Sequence, residues 1–299
     1  MAPEKHYTKD DLINFKPKHK TFVGIDSDGC VFDTMEIKQK QCFHTVIVSH
    51  WHFEKIEKYV REAAEFANLY SKWRGTNRFV AILKMFDLLY ERPEVKKSGV
   101  PLPKLPDTRK WVASTSALGN PELEKAVKET GSEELKDMLK WSKDVNTLIA
   151  KTVKNVPPFK FVRESFDKIL KNSDAICVSQ TPTEALVREW EEHHITKYVS
   201  VIAGQELGTK TEHIAMASKG KYPPDKILMM GDAPGDRKAA KGNNALFFPI
   251  NPGREEVSWE RFYKEGYDKF LAGTFAGRYE EKLIAEFEAL LPETPTWKK

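Results

Sequence analysis

Cysteine is scarce in this chain: the 299 residues hold three, Cys30, Cys42 and Cys177. They lie far apart and none belongs to a C-x-x-C pair. That spacing excludes a disulfide framework and a cysteine-based zinc site, and it fits a reducing compartment. Long apolar runs are missing as well. No stretch approaches the ~18 uninterrupted apolar residues of a membrane helix. The opening sequence MAPEKHYTKDDL lacks the apolar core of a secretory signal, so a cytoplasmic location is expected. Neither sign of charge dominates: 48 Lys and Arg against 44 Asp and Glu leave a formal +4. Without a long basic run, that small excess marks no nucleic-acid surface. Internal repeats and low-complexity tracts are absent.

What is present describes a folded protein. Apolar residues make up 40% and charged residues 31% of the chain, which argues against disorder. At ~150 residues per domain, the length predicts one large or two ordinary domains, with core enough to need no disulfide or structural metal. The first strand is expected at Thr21–Ile25. Further compact apolar runs at 175–178, 198–202, 227–230 and 245–248 alternate with helical stretches at 184–194, 212–218 and 236–241. This alternation predicts an α/β fold, a Rossmann-like parallel sheet with helices on both faces.

Residues 35–159 lack the alternation. Phe53, Ile56, Val60, Ala63, Ala64, Ala67 and Tyr70 recur at helical spacing. Asn120-Pro-Glu122 reads as a sharp helix start, and Gly131 as that helix's end. The expected organisation is a core of residues 1–34 and 160–299, interrupted by a mostly helical insertion of about 125 residues at 35–159. Residues 255–299 are expected as a helical tail on the core.

In parallel α/β sheets, ligands bind at the carboxyl ends of the strands. Those ends carry Asp26 and Asp28, then Ser179, then Lys210, then Asp232 and Asp236. Packed carboxylates repel one another, and a hard divalent cation is the natural compensation. Mg²⁺ typically takes one or two carboxylates together with phosphate oxygens, which leaves Ser179 and Lys210 for the phosphoryl group.

These segments stand as Asp26-Ser-Asp-Gly-Cys-Val-Phe-Asp-Thr34, Ile176-Cys-Val-Ser179, Gly208-Thr-Lys210 and Met229-Met-Gly-Asp-Ala-Pro-Gly-Asp236. In that order, the set resembles the four motifs of the haloacid dehalogenase superfamily. The resemblance covers about residues 18–34 and 160–250 and implies a Mg²⁺-dependent phosphatase of a small phosphorylated metabolite. It implies that Asp26 is the nucleophile, forming an aspartyl-phosphate. Asp28 would be the general acid and then the general base. Asp26, the backbone carbonyl of Asp28 and Asp232 would hold Mg²⁺, and Asp236 would support the metal shell or orient Lys210. Ser179 and Lys210 would bind the transferring phosphoryl group. The acid at position 28 favours phosphate esters over dehalogenation, and the inserted helices resemble the family's cap. A phosphomutase would share every one of these residues; a non-catalytic binding protein on the same fold is the alternative of another class.

Several residues compete for roles. Lys219 and Lys221 are rivals of Lys210. Asp33 reads as a helix cap. Cys30 and Cys177 read as small buried hydrophobes. His44, His50 and His52 do not match the spacing of a helical zinc site. One loop stands apart: Trp73-Arg-Gly-Thr-Asn-Arg78. Arg78 falls at a helix start, where the macrodipole disfavours a cation. Helix stability does not account for it, so Arg74, Asn77 and Arg78 are expected to form an anion-binding substrate loop in the cap.

Overall fold

The computed structural model describes residues 6–115 and 118–298. Five strands form one parallel sheet: β1 (Phe22–Ile25), β2 (Asp174–Val178), β3 (Val201–Ala203), β4 (Ile227–Gly231) and β5 (Leu246–Pro249). Their spatial order is β3-β2-β1-β4-β5, the doubly wound order of a Rossmann-like sheet. β1 to β4 are buried along their whole length, which is why they read as continuous apolar runs and not as alternating ones. The helices Val162–Asn172, Thr183–Glu192, Lys210–Ser218 and Pro234–Gly242 alternate with the strands.

One strand differs from expectation. The run at 198–202 becomes a strand only at Val201, and Thr196–Tyr198 forms a 3₁₀ turn. Tyr198 is committed elsewhere: its hydroxyl donates to Asp167 at 2.8 Å and its ring packs on Phe166 at 5.4 Å.

The chain divides into two compact units. One comprises Met1–Met35 and Asn155–Pro292; the other comprises Glu36–Lys154 and Glu293–Lys299. The first holds the sheet, with the helices Glu255–Arg261, Tyr267–Ala272 and Arg278–Ala289 after β5. The second is helical. Glu57–Asn68 packs on Arg78–Glu91, and Asn120–Thr130 packs on Glu133–Thr152. Its core is largely aliphatic and also encloses aromatic rings, among them Phe53, Phe79, Phe86 and Trp141. Gly131 ends its helix in the left-handed region at φ +67°, as the sequence indicated. The cap at the other end is Gly119, one residue before Asn120.

The end of the chain corrects one expectation. Residues 255–299 were expected to stay with the core, but Glu293–Lys299 belongs to the helical unit. Trp297 lies over the Arg92 guanidinium at 4.5 Å and edge-on to Phe66 at 5.7 Å. Lys298 pairs with Glu91, and Lys72 with Glu293 at 3.0 Å. Among the described residues, no helix is long and apolar enough to cross a membrane.

Candidate active site

The sheet order reverses at β1, so the crevice beyond the carboxyl ends of β1 and β4 is where a ligand is expected. Asp26 follows β1 directly, and its amide donates to Met230 O of β4 at 3.0 Å. Asp232 follows β4. Asp26, Asp232 and Asp236 are all buried, and each offers a carboxylate oxygen within 4.8 Å of the others. Lys210 Nζ lies 2.8 Å from Asp26 Oδ2 and 2.5 Å from Asp236 Oδ1.

Local structure fixes each group. Lys210 is the first residue of its helix, capped by Thr209 and Glu212 in a reciprocal capping box. Asp236 lies in the first turn of Pro234–Gly242, and its Oδ2 accepts from Ala233 N at 3.0 Å. Gly231 makes room for it: a Cβ there would stand 2.2 Å from Asp236 Cγ. After Asp26 the chain turns sharply. Ser27 O accepts from the amides of Cys30, Val31 and Phe32, and Gly29 takes a left-handed φ of +76°. Two indoles hold this turn: Trp190 Nε1 donates to Ser27 Oγ at 3.0 Å, and Trp259 Nε1 to Cys30 O at 2.7 Å.

The electrostatics follow from crowding. Burial first, then repulsion from Asp236, holds the Asp26 carboxyl well above the usual carboxylate range, against the pull of Lys210. Asp236 is raised too, chiefly by burial. The Lys210 ammonium is pushed up by Asp236 and Asp26, which outweigh its own burial. Three ionised carboxylates and one ammonium carry a formal −2, which one divalent cation would cancel. The donors are hard oxygens, as Mg²⁺ prefers. No other group of three or more such side chains with metal-ligand proximity occurs among the described residues.

Asp28 is held separately. Thr34 Oγ1 donates to its Oδ1, and Thr181 Oγ1 to its Oδ2 at 2.6 Å. Ser179 follows β2, the strand next to β1; it is buried, and its Oγ accepts from Thr181 N at 3.2 Å. Lys221 is drawn off by the carbonyls of Leu12, Ile13 and Met216, while Lys219 is exposed. Burial pushes the Cys30 and Cys177 thiols up, with Asp26 adding to it, so neither is a ready nucleophile. Thr181, Trp190 and Trp259 carried no sequence signal; only Thr181, two residues beyond Ser179, had a position that could have suggested it.

The three loop residues lie in the helical unit. Asn77 caps Arg78–Glu91, its Oδ1 accepting from Phe79 N at 3.0 Å, and its Nδ2 donates to Leu118 O at 2.8 Å. Arg78 Nη1 donates to Ser142 O, Ser142 Oγ and Asn146 Oδ1 at 3.3, 3.0 and 2.7 Å. Its guanidinium also lies over the Phe43 ring at 5.2 Å. Arg74 is not on an open loop: it is 2% exposed, and its Nη1 donates to Leu69 O at 2.9 Å.

The chain is similar to haloacid dehalogenase-like hydrolases of known structure. The hydrolase of this kind from Xanthomonas campestris shares 11% identity over 88% of this chain and 97% of its own, with a TM-score of 0.46. That from Streptococcus pneumoniae shares 13% over 80% and 90%, with a TM-score of 0.42. A subfamily IA hydrolase of the superfamily from Geobacter sulfurreducens shares 13% over 79% and 89%, also at 0.42. Likenesses at this level carry no argument about activity. No family model and no curated protein sequence matches the chain.

Proposed function

We propose that this chain is a Mg²⁺-dependent phosphatase of the haloacid dehalogenase type, acting on a small phosphorylated metabolite. One observation carries the reading: a buried carboxylate, Asp26, ion-paired to Lys210 and facing two more carboxylates, with Asp28 two residues away. Lys210, paired with both Asp26 and Asp236, works against the burial and repulsion that raise the Asp26 carboxyl, and stands ready to meet a phosphoryl oxygen.

Asp26 attacks phosphorus and forms an aspartyl-phosphate, while Asp28 gives its proton to the departing ester oxygen. Asp28 then takes a proton from the water that releases phosphate. Splitting one displacement into two is the advantage of a covalent intermediate. Lys210 and Ser179 bind the phosphoryl oxygens. Asp26, Asp232, Asp236 and the Asp28 carbonyl would hold Mg²⁺. When bound, the ion supplies positive charge opposite the carboxylates and the phosphoryl group.

The helical unit contributes recognition. Arg78 is a guanidinium whose partners are all neutral, and burial lowers its pKa to about 10. A second anionic group on the substrate would answer that charge. Arg74 and Asn77 belong to the same loop, with Asn77 fixing the start of the helix.

The test is a Mg²⁺-dependent turnover screen over sugar phosphates, nucleotides and short phospho-acids. Phosphate release is expected from the wild type. Asp26→Asn is expected to lose about 10³-fold or more of it while melting normally. Mg²⁺-dependent hydrolysis retained in that variant would refute the mechanism. Isomer formation without phosphate release would replace the hydrolase by a mutase.

A further inference from the structure

Two hydroxyls from distant parts of the chain meet one carboxylate. Thr34 reaches Asp28 Oδ1 from the segment after β1, and Thr181 reaches Oδ2 at 2.6 Å from the loop after β2. Thr181 is not placed by this contact alone. Its amide donates to Ser179 Oγ at 3.2 Å, and its carbonyl accepts from Gln205 N at 3.1 Å. Gly204 allows that close passage, because a Cβ there would stand 2.6 Å from Thr181 O and 2.5 Å from Thr183 N. Glu206 then fixes the next turn, accepting from Thr183 N at 2.9 Å and from Thr183 Oγ1 at 2.8 Å. The loop is thus clamped on both sides of Thr181, and its hydroxyl is aimed by the backbone.

We propose that Thr181 is a positioning residue, orienting the Asp28 carboxyl group for both proton transfers. The proposal rests on the phosphatase reading above. In the first transfer, Asp28 gives its proton to the ester oxygen as the P–O bond breaks and the bond from Asp26 to phosphorus forms. In the second, it takes a proton from water as the water oxygen bonds to phosphorus and the Asp26 bond breaks. Asp28 therefore alternates between an acid and an anion. A hydroxyl suits both forms, because it donates to the carboxylate and rotates to accept from the acid. A lysine or an amide N–H donates only, and would hold the group in its ionised form. Threonine also carries a methyl group that limits the hydroxyl to few rotamers, so Asp28 stays aimed through the cycle.

The experiment uses the full chain with Mg²⁺ and two probes, phenyl phosphate and p-nitrophenyl phosphate. Phenol leaves poorly without a proton; p-nitrophenol needs little help. Thr181→Val is expected to lower kcat/KM on phenyl phosphate by about 10- to 100-fold, as misplacement of a reacting group does. The loss on p-nitrophenyl phosphate is expected to be smaller, and Thr181→Ser is expected to restore both. In an Asp28→Asn background, Thr181→Val is expected to cost nothing more, since its effect runs through Asp28. Equal losses on the two esters, or a loss that persists without Asp28, would make Thr181 a structural residue and overturn the proposal. Unchanged turnover in Thr181→Val would overturn it as well, leaving the phosphatase reading intact. A wild type that releases no phosphate from either ester or from any compound of the screen above would overturn that reading and the proposal with it.

Discussion

Lys210 and Arg78 each open a helix, one in each unit. Lys210 opens Lys210–Ser218 beside the sheet, and Arg78 opens Arg78–Glu91 in the helical unit. A helix N-terminus is partly positive, so neither position suits a cation for the helix's sake. Lys210 is answered by two carboxylates, Asp26 and Asp236. Arg78 is answered only by neutral groups, all of them through Nη1; among the described residues, its Nε and Nη2 donate to none. One unit thus holds surplus negative charge around its lysine, and the other holds a guanidinium without an acid. The first imbalance calls for a cation from outside the chain, the second for an anion. The Nε–Nη2 edge is a fork that matches a carboxylate or phosphate.

Breaking the compensated cation should cost most. Lys210→Met is expected to lower kcat by about 10²- to 10³-fold in steady-state phosphate release, as removal of a preorganised charge does. Arg78→Met should act on binding instead, raising KM for the true substrate by about 10-fold or more with kcat nearly unchanged. A fall in kcat as deep as that of Lys210→Met would erase the contrast between the two cations.

Metal should respond to one unit alone. Saturating Mg²⁺ is expected to raise Tm by a few degrees, by roughly the linkage of a ligand well above its Kd. Asp232→Asn should lose the shift and Arg78→Met should keep it in differential scanning fluorimetry. The shift should also grow with pH. Asp26 and Asp236 have raised pKa values, so without metal they retain protons that the unfolded chain has released. Their burial therefore costs stability as pH rises from the unfolded carboxylate range towards the folded values. Mg²⁺ relieves that cost, more at pH 8 than at pH 5.

The smallest effect in neutral solution belongs to His44, buried in the helical unit. Burial, with help from Arg61 and Lys40, lowers its pKa to about 3, and among the described residues neither ring nitrogen has a hydrogen-bond partner. A depressed histidine pKa leaves stability intact above the unfolded value of ~6.5, and stability falls as pH drops from there towards the folded value. His44→Leu should change Tm little at pH 7 and flatten its decline between pH 6 and pH 4.

Asp26, Asp232 and Lys210 were legible in the sequence because each sits directly beside a local signal, a buried strand or a helix cap. The α/β alternation was legible for the same reason. Thr181 was not, because its role depends on Gly204 and on Asp28, which lies 153 residues away. Trp190 and Trp259 reach the 27–30 turn from even farther. The anomaly at Arg78 was visible as a cation in the wrong place. Its anchors were not, since Ser142 and Asn146 lie on a helix 64 and 68 residues away. Arg74 shows the limit of composition: arginine is usually exposed, and here it is almost wholly enclosed. Tyr198 shows the limit of apolar runs, since a side chain engaged elsewhere delays the strand.

The segment Glu293–Lys299 has a practical consequence. The chain changes units after Met35, after Lys154 and again after Pro292, so neither unit is one continuous piece. The helical unit is not a cassette that can be excised at two cuts. A fragment of 36–154 would lack Trp297, leaving the Arg92 guanidinium and Phe66 without the ring that lies against them. A reporter attached at Trp297 would register what happens to the helical unit, although that residue follows the sheet unit in the chain.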